Sequence, residues 1–112
     1  MRKIEEQMID AVKAGGCWKC ANTAVRFGAR DCVEVFLHGN LIAQIDPSGG
    51  IPVQFTLAGW NTTTTRSRVN ALLRAFSQRA ARVSTCRGQA QLRIFGDAPS
   101  VRPIAADEWV TA

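Results

Sequence analysis

At 112 residues, with 46% hydrophobic and 21% charged side chains, the chain is one domain's worth, able to bury its own core and too apolar to be disordered throughout. No run approaches the roughly 18–20 apolar residues of a membrane span, and the charged start Met1-Arg2-Lys3-Ile4-Glu5-Glu6 lacks the apolar stretch of a signal peptide. The expectation is a cytoplasmic protein with reduced cysteines and no membrane partner, whose net charge of +5 favours an acidic or polyanionic one.

The spacing of Ile4, Met8, Ala11 and Val12 predicts an amphipathic helix, with Glu5, Glu6, Asp10 and Lys13 on its other face and Gly15-Gly16 as its stop. Strands follow. Thr23 to Phe27 alternates Val25 with Phe27, and Cys32 to His38 puts Val33, Val35 and Leu37 on one face. A two-residue turn at Gly39-Asn40 leads into Leu41 to Asp46, which groups Leu41, Ala43 and Ile45. After the turn Pro47-Ser48-Gly49-Gly50, the residues Ile51, Val53, Phe55 and Leu57 form a one-sided strand that Pro52 marks as an edge.

A threonine of the run Thr62-Thr63-Thr64-Thr65 caps a second helix, whose apolar stripe is Val69, Leu72, Leu73, Phe76 and Ala80, with Arg66, Arg68 and Arg74 outside it. Gln89 to Phe95 alternates as a last strand, Pro99 and Pro103 argue against regular structure beyond, and Trp109-Val110 is an apolar plug for the tail. The predicted architecture is a single α+β domain over residues 1–112. It comprises an N-terminal helix, an antiparallel β-meander of three to four strands, a second helix packed on that sheet, and a C-terminal strand. Double-stranded-RNA-binding domains share this coarse order of elements, an analogy of topology alone.

Few residues suggest catalysis. Cys17 and Cys20 have the spacing of a metal knuckle that Cys32 and Cys86 would complete as a zinc site, but a second close pair is absent. His38, the only histidine, has no evident nucleophile or orienting acid, so no triad can be assembled around it. No phosphate-binding glycine motif occurs. These absences favour a binding protein without a cofactor over an enzyme.

Charge is distributed unevenly. Residues 1–46 carry six basic and six acidic side chains, whereas the stretch between Asp46 and Asp97 has no acid and holds Arg66, Arg68, Arg74, Arg79, Arg82, Arg87 and Arg93. Arginine's planar fork suits phosphate and carboxylate. The start of the second helix also has unpaired backbone N–H groups that attract anions. The candidate site is therefore Thr64 and Thr65 as donors, Arg66, Arg68 and Arg74 as clamps, Arg79, Arg82 and Arg87 extending the patch, and Trp60 as a plane for stacking a base.

The segments Asn22-Thr23-Ala24-Val25, Leu37-His38-Gly39-Asn40-Leu41-Ile42-Ala43 and Gly59-Trp60-Asn61-Thr62-Thr63-Thr64-Thr65-Arg66-Ser67-Arg68-Val69-Asn70-Ala71-Leu72-Leu73, together with Ile4-Glu5-Glu6-Gln7-Met8, carry a resemblance over residues 1–76. The chain resembles a group of small bacteriophage-encoded proteins of unknown function; Cys17-Trp18-Lys19-Cys20 departs from that pattern, which has no cysteine pair. The resemblance implies a phage accessory protein at work in the host cytoplasm. Its partner is then nucleic acid or an acidic host protein surface, in the second case as an inhibitor of a defence nuclease such as a CRISPR effector, or of the transcription or replication machinery. Exposed Trp18 or Trp109 would anchor that second kind of complex.

Overall fold

A computed structural model describes residues 2–28 and 30–112. In chain order the elements are α1 (Lys3–Ala14), β1 (Trp18–Cys20), β2 (Thr23–Phe27), β3 (Val33–Leu37), β4 (Asn40–Ile45), β5 (Gln54–Phe55), α2 (Thr63–Phe76), β6 (Ala81–Cys86), β7 (Gln89–Ile94), β8 (Ser100–Pro103) and β9 (Val110–Thr111). The strands form two antiparallel sheets, a six-stranded one in the order β1-β2-β3-β4-β5-β9 and a three-stranded one in the order β6-β7-β8. The α+β architecture matches the sequence reading, with a second sheet added to it.

The larger sheet turns Val25, Val33, Val35, Ala43, Ile45 and Phe55 inward, where they meet Met8, Ile9 and Val12 of α1 and Val69, Leu72 and Leu73 of α2. Val83, Ala90, Leu92 and Ile104 from the region of the smaller sheet join the same cluster. Each large side chain fully buried there contributes about 1.5–3 kcal/mol by leaving water. Helix α1 stops where Gly15 takes the left-handed φ of 64°, a conformation that suits glycine and lets the Gly16 N–H reach the Ala11 carbonyl at 3.2 Å.

Several expectations need correction. The β3–β4 turn is His38-Gly39, one residue earlier than expected, since Leu37 pairs with Asn40. Both turn residues have positive φ, 50° and 78°, the combination that matches the twist of a two-residue hairpin. The register then slips beside Val35 and Phe36, so that Ala43 faces Val35 while Leu41 faces Phe36. Ile42 is the extra residue of this bulge; it and Ala43 are buried, and Leu41 is not grouped with Ala43 and Ile45. The strand after Pro52 is neither long nor an edge. Gln54 and Phe55 pair with Thr111 and Val110, and Val53 exchanges both main-chain hydrogen bonds with Ala112. Pro52 precedes this pairing and so removes no ladder donor.

Helix α2 ends at Phe76, short of Ala80, and β6 follows it unforeseen. Beyond Pro99, regular structure does continue. Strand β8 is an exposed edge that accommodates Pro103 opposite Gln91, and β9 closes the larger sheet. The tail plug is half realised: Val110 is buried while Trp109 stays 47% exposed. In the Asp46 turn, Ser48 Oγ (2.6 Å) and the backbone N–H groups of Ser48 (2.9 Å) and Gly50 (3.1 Å) donate to the carboxylate, holding that carboxyl below its ordinary range.

The edge of the smaller sheet is covered by α2. Asn70 reads the main chain of β6 in both directions, its Nδ2 donating to the Val83 carbonyl at 2.8 Å and its Oδ1 accepting from the Val83 N–H at 2.7 Å. One side-chain amide thus takes the place of a neighbouring strand. It also fixes the distance between the outward face of α2 and the outward residues of β6, and the functional geometry depends on that spacing.

Candidate functional site

Helix α2 begins at its N-cap Thr62, whose Oγ1 accepts from the Thr65 N–H at 3.2 Å and pairs with the Thr65 hydroxyl at 2.9 Å. From that start, Thr63, Arg66, Ser67, Asn70 and Arg74 recur at intervals of three and four and share one helical face. This polar face, the start of α1 and strand β6 enclose an open groove of about 660 Å³. Arg66 and Arg74 from α2, Arg82 from β6 and Arg2 ahead of α1 all line it, with Ser84 and Thr85 as hydroxyl donors.

Glu5 is the one carboxylate in that lining, and its charge is already matched. It is 3% exposed, and its Oε2 accepts from Arg68 Nη1 at 2.8 Å and from Ser67 Oγ at 2.6 Å. Arg68, 4% exposed, spends its Nε on Thr23 Oγ1 at 3.0 Å. The pair is a structural clamp between α1, α2 and β2. Two expectations fall with this arrangement, the placing of Glu5 on the outward face of α1 and of Arg68 outside the apolar stripe of α2.

The groove arginines are different. Among the described residues, the ion pairs within 4.0 Å are Arg26–Glu34, Arg68–Glu5 and Arg102–Glu108, and none involves Arg2, Arg66, Arg74 or Arg82. Arg66 is held by neutral groups, its guanidinium donating to Asn61 Oδ1 at 2.5 Å and to Thr63 Oγ1 at 3.4 Å. It is oriented without being neutralised. Arg82 also stands directly across from Arg93 on β7, so both project from the same face of the sheet. Like charges placed directly opposite each other are destabilising; a bound anion would relieve that repulsion.

The other basic side chains are dispersed. Arg79 lies in the loop after α2 and Arg87 in the β6–β7 turn at φ 53°, and neither lines the groove. Arg26 packs over the Phe36 ring, 4.9 Å from its centroid. Arg102 binds Glu108, whose carboxyl is held below its ordinary range by the Ala105 N–H and then by Arg102.

The remaining candidates also lie apart from the groove. Thr64, Thr65 and Trp60 line a separate cavity of about 480 Å³ with His38, Ile42 and Leu57. Thr65 is buried and committed to its cap, while Trp60 is 60% exposed at that cavity's lip. The two cavities flank opposite sides of the first turn of α2, so the anticipated cluster divides between them. Cys17 and Cys20 are exposed at β1, Cys86 is exposed at the end of β6 and Cys32 precedes β3. Among the described residues, no three metal-ligating side chains gather. None of the described helices is long and apolar enough to cross a membrane.

Comparison of this two-sheet α+β chain with known protein families places it among phage proteins. Residues 1–111 match the family model of the Kyanoviridae Gp96 protein, and the chain belongs to that family. The match runs well past residue 76 and takes in β6, which supplies Arg82 to the groove. No curated protein and no solved structure matches the chain.

Proposed function

We propose that this phage protein is a non-enzymatic accessory factor that binds nucleic acid in the arginine groove. One observation carries the reading: four arginines from three separate parts of the chain line a single groove whose lone carboxylate is neutralised internally. Unpaired guanidinium groups that line one groove repel one another, and a string of phosphates satisfies them in a way that a single small anion does not. Thr63, Ser84 and Thr85 add neutral donors for phosphate oxygens.

Phosphate binding releases condensed counterions, so affinity falls as salt rises. With three or four phosphates engaged, a plot of log association constant against log salt concentration should have a slope of about −2 to −4. Fluorescence anisotropy with a labelled oligonucleotide between 50 and 200 mM salt, about the range over which such slopes are read, measures it. A slope near zero would remove nucleic acid as the ligand and leave docking on an acidic host protein as the reading of the same arginines.

A further inference from the structure

Resting on that reading, we propose that the ligand is single-stranded, and that Phe95 is the platform on which one of its bases stacks. Phe95 follows the last residue of β7 and is 46% exposed. It walls a further hollow of about 320 Å³ together with Asn70, Leu73, Arg74 and Arg82. Asn70, Arg74 and Arg82 line the arginine groove as well, so the two depressions share a rim. Arg93, two residues before Phe95, stands opposite Arg82 across the β6–β7 ladder. An exposed apolar side chain alone needs no explanation. A phenyl ring that walls one hollow with Arg74 and Arg82, neither of them ion-paired among the described residues, sets an aromatic side chain beside cations, the combination that single-strand binders use.

The geometry selects between nucleic acids for a simple reason. In a duplex the flat faces of the bases are hidden in the stack, and only the phosphates and groove edges are offered outward. A ring beside the phosphate-binding cations then finds nothing to stack on. In a single strand each base can swing out, so that phosphates sit on Arg74 and Arg82 while the neighbouring base lies on Phe95. The main chain holds Phe95 in place, its N–H donating to the Ala80 carbonyl at 2.9 Å. Its ring can therefore be exchanged without undoing the local fold.

The test compares a labelled oligothymidine with a blunt duplex of the same length, bound to the full chain and to Phe95→Leu, Phe95→Trp and the double variant Arg74→Ala with Arg82→Ala. Leucine keeps the apolar bulk and removes the aromatic face. Phe95→Leu should weaken the single strand about 5- to 150-fold, leave duplex affinity and the single-strand salt slope unchanged, and be reversed by Phe95→Trp. The arginine pair should weaken both ligands and flatten both slopes. If Phe95→Leu acts on neither ligand, or equally on both, while the arginine pair still matters, the single-strand proposal is overturned and the nucleic-acid reading stands. If the arginine pair changes nothing, both fall. Circular dichroism on each variant confirms that folding is intact.

Discussion

Replacing Glu5 with glutamine is expected to lower the free energy of unfolding by about 3–5 kcal/mol, measured by urea denaturation against the parent chain. The substitution keeps the shape of the side chain and removes its charge. Arg68, 4% exposed, then keeps a buried positive charge with only neutral acceptors around it, and the desolvation of that charge goes unrepaid. Arg68→Met should be destabilising for the mirror-image reason, since it strands the Glu5 carboxylate with Ser67 as its remaining charge-assisted partner. Glu5→Leu combined with Arg68→Met should recover much of either loss, because replacing a buried pair by apolar side chains of similar volume is often close to neutral. A loss below about 1 kcal/mol for Glu5→Gln would show that the pair is solvated and that Arg68 is open to outside ligands after all.

The second large effect belongs to binding. Arg74→Glu together with Arg82→Glu should weaken oligonucleotide binding about a hundredfold and reduce the salt slope by about two, with little change in stability. Arg74 and Arg82 are exposed and unpaired among the described residues, so their removal breaks no buried network. Arg26→Glu is the control outside the groove, at a side chain that lines a separate hollow. That side chain leans on Phe36 and Glu34 of the larger sheet, and reversing its charge should leave the slope within the scatter of the parent. An equal loss from both sites would mean that net charge alone drives association and that the groove has no special part in it.

The sequence showed the elements that rest on local periodicity and missed those that rest on distant partners. Helix α1, the strands from Thr23 to Leu37 and the threonine cap of α2 each follow from spacing within a few residues. Arg68 did not, because a charged residue is ordinarily placed outside an apolar stripe, and its partner Glu5 lies 63 positions away. The pattern held a clue: Thr65, Arg68 and Leu72 are three and four apart, so Arg68 sits inside the stripe by geometry even though its chemistry argues otherwise. Strand β6 was hidden for a related reason. Its outer edge is completed by the Asn70 side chain, and no rule of β-propensity announces such a partner.

The candidate site was legible in part. Arg66, Arg74 and Arg82 were visible as candidates in the acid-free stretch, unlike Thr63, Ser67 and Asn70, whose spacing puts them on the same helical face. The grouping of these with Arg2 was not, since it depends on α1 packing against α2 through Glu5 and Arg68. Thr64 was separated from the arginines by the helical twist itself: each residue turns about 100° from the last, so neighbours in the threonine run face different cavities, while Trp60 lies ahead of the helix in a turn whose Trp60 N–H donates to the Leu57 carbonyl.

The most direct measurement is the nuclear magnetic resonance of the arginine side chains, following each Nε–H signal as an oligonucleotide is titrated in at low salt. The signals of Arg66, Arg74 and Arg82 should move together and saturate, while Arg68, locked on Glu5 and Thr23, and Arg102, paired with Glu108, should hold still. Movement confined to Arg26, Arg79 or Arg102, or no movement at all, would contradict the assignment of the groove as the surface where nucleic acid binds.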